Sequence, residues 1–489
     1  MATDNRIAVL GALSALALMA SPALAIDPFF PEFGNNGIDV VQYDIDLDVD
    51  PAWGTIKGNT GLTIKALRRT TSFGLDLHGL NVTAVTVNGR AASFTRTGGK
   101  LNITPGRPVP AGGVMLVDVS YGGIPEALAD PTAPQDELFL GWFKYRKATY
   151  VVSEPVGASS FFPANDEPTD KAFYIFNITV PEGFTGVANG VLVGSKPVDG
   201  KRRFTWAMLE PMTTWLATVH VNKFRSDLSR APDGTPIRVY APFGIPQSHI
   251  DGYAKAGEML TYFETLIGRY PFGSYGSVVV ADPILYYALE TQAMSVFPAG
   301  NDPPSEGLVA HELAHQWFGN SVSVAKWEDL WFAEGLATYF EFVWEHRNDP
   351  AAFDAAMLDN YDYVVDRKLK AAVVEAPDQL FSDRTYLRGA AALYALRLQV
   401  GDSSFFNLLR HIAQDNRGGS ITSEGFIRTA VRFSGDASVR PLLEAWLYDD
   451  AVPELPGLAG RKAKPGPVKR PDIAGSRCGR HHNVRSACR

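Results

Sequence analysis

Two histidines and a glutamate lie within five consecutive residues of this 489-residue chain, where residues 311–315 read HELAH. On a helix, residues four apart project from one face about one turn apart. The imidazoles of His311 and His315 can therefore ligate one zinc ion, and the intervening Glu312 can reach a water on that ion. The spacing predicts a metal site suited to hydrolysis.

A catalytic zinc site needs a third protein ligand and an open fourth position. Eighteen residues separate His315 from Glu334, a carboxylate in an otherwise apolar stretch. Gly319 and Asn320 can end the first helix, and residues 327–329 can begin a second, antiparallel helix that returns Glu334 to the metal. Two histidines and one glutamate are the ligand set of a zinc hydrolase, with one zinc per chain.

The elements before this site are predicted to be strands. From Tyr43 to Asp50, apolar residues alternate with four aspartates, which is the period of a strand with one apolar face. Two Asn-Gly pairs, at residues 88–89 and 189–190, indicate hairpin turns. We predict a mainly antiparallel β-domain over residues 26–228. The aspartate face is interpreted as solvated, with a calcium site as the alternative.

The pattern changes after residue 228. Apolar residues from Tyr253 to Ile267 follow helical spacing, residues 277–281 read as a short buried strand, and residues 305–350 and 386–409 are predicted to be largely helical. We predict a second, mainly α-helical domain over residues 229–456 that contains the metal site.

Both ends of the chain differ from its body. Residues 7–20 are small or apolar, and Ala23-Leu24-Ala25 resembles a signal-peptidase site, so residues 1–25 are predicted to be a cleaved signal, with an uncleaved anchor helix as the alternative. Residues 457–489 carry nine basic residues against one acid and are predicted to be a disordered tail. Cys478 and Cys488 both lie in this tail, where they could pair or, less in keeping with zinc-site spacing, bind metal.

Composition and charge exclude several classes of protein. With 46% hydrophobic and 20% charged residues, the chain is neither wholly disordered nor a multi-span membrane protein. The net charge is −8, and the tail carries +8, so the remaining residues carry −16. An acidic body repels phosphate, which argues against nucleic acid as a partner. No segment after the signal is apolar enough to span a membrane.

Four motifs, in order, now carry a family resemblance. Residues 311–320 read HELAHQWFGN and, with Glu334-Gly335, resemble the aminopeptidase N family of gluzincin zinc metallopeptidases, a family that also has leukotriene-hydrolysing members. Residues 162–172, FPANDEPTDKA, resemble that family's β-domain signature, and residues 153–155, SEP, resemble the stretch before it. Residues 386–390, YLRGA, resemble its Tyr-x-Lys-Gly-Ala element, with arginine in place of lysine.

The resemblance implies a β-domain followed by a thermolysin-like, mainly α-helical zinc catalytic domain. Many family members continue with a helical domain that caps the active site, whereas here a short basic tail follows residue 456. We therefore predict a short form without that C-terminal helical domain and with a more open cleft. The resemblance also implies an aminopeptidase in which His311, His315 and Glu334 bind zinc and Glu312 is the general base. Tyr386 would donate its hydroxyl to the oxyanion of the tetrahedral intermediate. It further implies that Glu154 and Glu290 hold the substrate's α-ammonium group.

The amine-binding pair distinguishes between the competing functions. An interior peptide bond brings no ammonium, so two unpaired carboxylates in a closed cleft would be costly to desolvate. This disfavours a thermolysin-type endopeptidase and argues weakly against an epoxide-hydrolysing relative. A non-catalytic peptide-binding scaffold would not need the zinc ligands, base and tyrosine together. The expected partners are peptide substrates with a free N-terminus. We expect the protein to be secreted or periplasmic and to be a monomer.

The sequence departs from the family's pattern around Glu290. Residues 287–291 read YALET where the family usually has Gly-x-Met-Glu-Asn, so a substrate-backbone contact is in question. Ala333 likewise replaces the usual asparagine before the third ligand.

Overall fold

A computed structural model describes residues 26–133, 138–458, 460, 468–471 and 473. The predicted signal, residues 1–25, lies outside the described residues, as do Cys478 and Cys488. Within the described part, no helix has both the length and the hydropathy needed to cross a bilayer.

The first domain consists of strands, as predicted. Their bounds are β1 Ile38–Asp50, β2 Thr55–Ala66, β3 Phe73–Asp76, β4 Asn81–Val87, β5 Arg90–Ala91, β6 Ser93–Thr97, β7 Lys100–Thr104, β8 Val114–Gly123, β9 Leu128–Ala129, β10 Phe139–Tyr145, β11 Ala148–Val152, β12 Lys171–Pro181, β13 Thr185–Ala188, β14 Val191–Val198, β15 Lys201–Thr213 and β16 Val219–Asn222.

These strands form three sheets. The largest has the order β14-β15-β12-β1-β2-β8-β4-β5, and the others are β3-β7-β6 and β13-β16-β11-β10-β9. Pairing is antiparallel except between β1 and β12. The apolar residues of β1, such as Ile45, are buried, while Asp48 on the opposite face pairs with Lys201 at 2.6 Å and Asp44 accepts a hydrogen bond from Asn177. Basic and amide neighbours thus partner these two aspartates, in keeping with a solvated strand face.

The second domain begins with a mixed sheet and becomes helical. Its strands are β17 Phe224–Arg230, β18 Pro236–Pro242, β19 Tyr275–Val280, β20 Ser295–Pro298, β21 Ser323–Val324 and β22 Ser420–Ile421. Its helices are α1 Gln247–Ala254, α2 Ala256–Ile267, α3 Glu306–Ala314, α4 Trp331–Glu345, α5 Pro350–Arg367, α6 Gly389–Val400, α7 Asp402–Asp415, α8 Ser423–Ser434 and α9 Val439–Tyr448.

One sheet spans the predicted domain boundary at residue 228. Strand β17 pairs with β18, and β18 continues through β19 to β20. Residues 224–228 therefore lie in the same sheet as β19 and β20. Hydrogen bonds across strands, which a local pattern does not specify, decide this pairing.

Two polar contacts join the domains beside the HELAH helix. Lys171, near the end of the FPANDEPTDKA stretch, is half-buried and donates to the carbonyl oxygens of Asn320 and Ser321 at 2.8 and 3.1 Å. Near the start of the described chain, a side-chain oxygen of Asp27 accepts from the Trp327 backbone N–H at 2.8 Å. The β-domain therefore supports the connection between α3 and α4, which carry the candidate metal ligands.

Candidate active site

Helix α3 presents both histidines to one point. Its first turn is capped by the Ser305 hydroxyl, which accepts from the Leu308 N–H at 3.2 Å, and His315 is its C-cap. The Nε2 atoms of His311 and His315 lie 3.3 and 3.4 Å from the same Glu334 oxygen. The ligand atoms of these three buried residues lie within 4.8 Å of one another, so the structure brings the predicted ligand set together.

The second ring nitrogen of each histidine faces an oxygen. His311 Nδ1 lies 3.2 Å from Glu341 Oε2, and His315 Nδ1 lies 3.3 Å from the Phe318 carbonyl oxygen. An N–H donated to each of these acceptors leaves the Nε2 lone pair for a metal.

Glu341 was missed in the sequence analysis, although a signal existed. It lies seven residues after Glu334, about two helical turns, so both carboxylates share one face of α4. A second acid inside a helix that is otherwise apolar and buried needs a buried partner.

The donor set fits zinc. Two imidazole nitrogens and one carboxylate oxygen are the ligands of a catalytic zinc site. Burial lowers the pKa of His311, but hydrogen bonds to Glu334 and Glu341 outweigh burial and raise that pKa to about 9. Burial raises the pKa of Glu334, but the two imidazoles outweigh it and hold that pKa well below its usual range. The site thus carries negative charge and is suited to a cation.

Three further glutamates converge on this point. Glu290 and Glu312 have carboxylate oxygens within 4.8 Å of each other and of a His315 ring nitrogen. Carboxylate oxygens of Glu154, Glu290 and Glu334 likewise lie within 4.8 Å of one another. All of them are buried. The predicted base and the predicted amine-binding pair therefore lie beside the metal ligands.

The backbone at Glu290 is held by two side chains of the HELAHQWFGN stretch. Its carbonyl oxygen accepts from Asn320 Nδ2 at 2.7 Å and from Gln316 Nε2 at 3.0 Å. Gln316 also accepts from the Ala293 N–H at 2.8 Å, on the other side of the same loop. These two amides connect the end of the HELAH helix to the Glu290 loop, a role that the motif alone did not reveal.

Tyr386 lies in a one-turn π-helix, Arg384–Arg388, that packs against the metal site. Its buried ring lies 6.2 Å from the His311 ring, with an angle of 22° between the planes. The approach depends on two glycines, because a Cβ on Gly335 would stand 2.9 Å from the Gly389 backbone. The glycines that follow Glu334 and Arg388 thus allow the two segments to touch.

A β-domain is thus joined to a mainly helical domain in which HELAH and a glutamate on the next helix form a candidate zinc site. This combination is typical of one class, the zinc metallopeptidases with a glutamate as third ligand. Residues 40–216 match the peptidase M1 N-terminal domain, and residues 252–446 match the peptidase family M1 domain. The chain belongs to peptidase family M1.

Named relatives and solved structures agree with this assignment. The chain is 29% identical to human glutamyl aminopeptidase over 52% of this chain and 29% of that protein. It is 26% identical to aminopeptidase N of Acetobacter pasteurianus, over 61% of this chain and 88% of that protein. The crystal structure of an M1 zinc metallopeptidase from Deinococcus radiodurans superposes with a TM-score of 0.81 at 29% identity, covering 88% of this chain and 98% of that one. The matches span only 29 to 37% of the glutamyl aminopeptidase and aminopeptidase A relatives from human, bovine, porcine and snake sources.

Proposed function

We propose that this protein is a zinc-dependent aminopeptidase, which removes the N-terminal residue from peptides. The carrying observation is the convergence of the Glu154 and Glu290 carboxylates on Glu334, within 4.8 Å of one another. A substrate's α-ammonium group offers the charge and the donors that two buried carboxylates need. A crystal structure of a mutant of the Deinococcus radiodurans M1 zinc metallopeptidase bound to a Tyr-Ser-Ala substrate supports this proposal.

Each residue of the site has a separate role in the proposed reaction. His311, His315 and Glu334 would hold one zinc ion, which when bound supplies a Lewis acid and makes water nucleophilic near neutral pH. The Glu312 carboxylate takes a proton from the attacking water and passes it to the leaving nitrogen. The Tyr386 hydroxyl donates to the oxygen on which negative charge develops. Glu154 and Glu290 fix the N-terminus, so cleavage falls after the first residue.

The proposal also covers location and assembly. We expect residues 1–25 to direct secretion and to be removed, which N-terminal sequencing of the secreted protein tests. A start at Met1 or Ala2 would contradict it. Because every group named above comes from one chain, we expect an active monomer, and size-exclusion chromatography with light scattering is the measurement.

The activity test uses a panel of aminoacyl p-nitroanilides with N-acetylated counterparts. Free-amine substrates should be cleaved, the acetylated ones should not, and a chelator should abolish turnover until zinc is returned. Glu312→Gln should lower kcat by about 100- to 10,000-fold while zinc content stays the same. Comparable cleavage of blocked substrates would indicate an endopeptidase, and bound zinc without turnover of any substrate would indicate a binding protein.

A further inference from the structure

Part of the basic C-terminal segment, which was predicted to be disordered, packs against the catalytic domain. Ile473 is 3% exposed and belongs to the hydrophobic core, and Val468 packs partly buried against that core. Lys469 between them is exposed. At the described positions of this segment, the apolar side chains are half-buried at residues 468 and 471 and buried at residue 473, rather than fully solvated.

Arg470 fastens this segment to a buried carboxylate. Its Nε and Nη2 atoms donate to Asp383 Oδ1 at 3.0 and 2.8 Å, and Nε also lies 3.2 Å from Oδ2. The Asp383 side chain is only 7% exposed, and its Oδ2 also accepts from the Tyr363 hydroxyl at 2.8 Å. A forked guanidinium–carboxylate pair in such surroundings holds both groups in a defined orientation.

Asp383 directly precedes the turn that carries Tyr386. The Ser382 carbonyl oxygen accepts from the N–H groups of Thr385 and Tyr386 at 3.0 and 3.4 Å, so residues 382 and 383 begin the turn. The Arg470–Asp383 pair therefore lies at the start of the turn. Gly389, which contacts α4, lies at its other end. Burial lowers the pKa of Arg470, but Asp383, followed by Tyr363 and Tyr386, outweighs burial, so that the pKa is raised. Tyr386 thus interacts electrostatically with Arg470.

We propose that Arg470 is a positioning residue for Tyr386. By holding Asp383, the C-terminal segment fixes the start of the π-helical turn and with it the position of the tyrosine hydroxyl beside the metal ligands. This inference rests on the proposed function, in which that hydroxyl donates to the developing oxyanion. A displacement of about 1 Å at such a group lowers the rate while substrate binding through Glu154 and Glu290 is retained.

A double-mutant cycle on the full chain tests the proposal. Arg470→Ala should lower kcat by about tenfold to a hundredfold, with KM changed less than twofold and zinc content unchanged. In the Tyr386→Phe background, Arg470→Ala should lower kcat no further, because the group being positioned is absent. Arg470→Lys, which keeps the charge but loses the fork, should be intermediate. The exposed Lys469→Ala is the matched control and should behave as the wild type.

Several results would overturn the proposal. An equal loss of kcat in both backgrounds would indicate a general structural role for Arg470, and so would a loss accompanied by loss of zinc. An unchanged kcat in Arg470→Ala would show that the C-terminal segment has no role in catalysis. Tyr386→Phe with wild-type kcat would instead refute the assigned role of the tyrosine, and the two failures are thus distinguishable. If Arg470→Ala does not fold, Arg470→Lys carries the same comparison.

Discussion

Glu341 Oε2 lies 3.2 Å from His311 Nδ1, so a carboxylate two turns along α4 from Glu334 orients the first histidine of the HELAH stretch. Such partners fix the ring and its tautomer and make the other nitrogen a better ligand. Both groups are fully enclosed. The contact is therefore a buried polar contact beside the candidate metal ligands rather than a surface ion pair, and we expect it to strengthen metal binding.

Glu341→Gln should weaken zinc binding by about tenfold to a hundredfold, because a neutral amide accepts a weaker hydrogen bond from the imidazole. Competition with a chromogenic chelator measures the affinity, and activity should return when zinc is in excess. Glu345→Gln, an exposed change on the same helix, is the control. Equal zinc affinities for wild type and Glu341→Gln would contradict the role given to this carboxylate.

Asn320→Ala should raise KM by about fivefold, since it removes one hydrogen bond, worth about 1 kcal/mol, from the backbone that presents Glu290. Zinc content should not change, and kcat should stay within twofold. Steady-state kinetics with an aminoacyl p-nitroanilide provide the measurement, with the exposed Asn301→Ala as control. A loss of zinc would mean that Asn320 supports the metal site and not the amine site.

Arg388→Lys should destabilise the protein by about 2 kcal/mol or more, because arginine here is a structural residue and lysine has fewer donors. The buried Arg388 guanidinium donates to backbone carbonyls at and beyond the end of α9, including Trp446 at 2.9 Å and Ala445 at 3.1 Å. The arginine that replaces the lysine of the family's Tyr-x-Lys-Gly-Ala element thus joins the turn to the C-terminal helix by hydrogen bonds. Urea unfolding, with the exposed Arg432→Lys as control, measures the effect, and equal midpoints would refute it.

The contribution of Asp166 to the free energy of unfolding should fall as the pH rises from about 4 to about 8. Burial and, next, the nearby Asp76 raise the pKa of Asp166 to about 8. The native state then keeps a proton that the unfolded chain loses near pH 4, so the stabilisation is complete below that pH and is lost as the pH rises through 8.

Asp166→Asn should flatten this dependence by at most about 1.4 kcal/mol per pH unit, the value for one proton. Asparagine can keep the acceptor for the Thr214 hydroxyl, which lies 2.6 Å from Asp166 Oδ1, and it does not ionise. Part of the slope should remain, because burial also raises the pKa of Glu167 to about 7. Urea unfolding at a series of pH values tests this, with the exposed Asp199→Asn as control. An unchanged slope would exclude Asp166.

The alternation in β1 and the five-residue HELAH spacing were sufficient to predict a β-domain, the metal helix and its ligands. Both are local patterns, because a strand face repeats every two residues and a helix face every three or four. The motif resemblance added Glu154, Glu290 and Tyr386, which lie far from HELAH in the chain. The structure places all three beside the metal ligands.

The remaining features depend on contacts between distant segments. Sheet pairing joined residues 224–230 to β18, and helix-to-helix packing placed Glu341 against His311. The basic tail shows the difference most clearly, since its composition predicts a solvated chain, whereas Arg470 and Ile473 are partly or fully buried. Composition describes the average preference of a segment for water, but whether a particular side chain finds a buried partner such as Asp383 depends on the folded surface it meets.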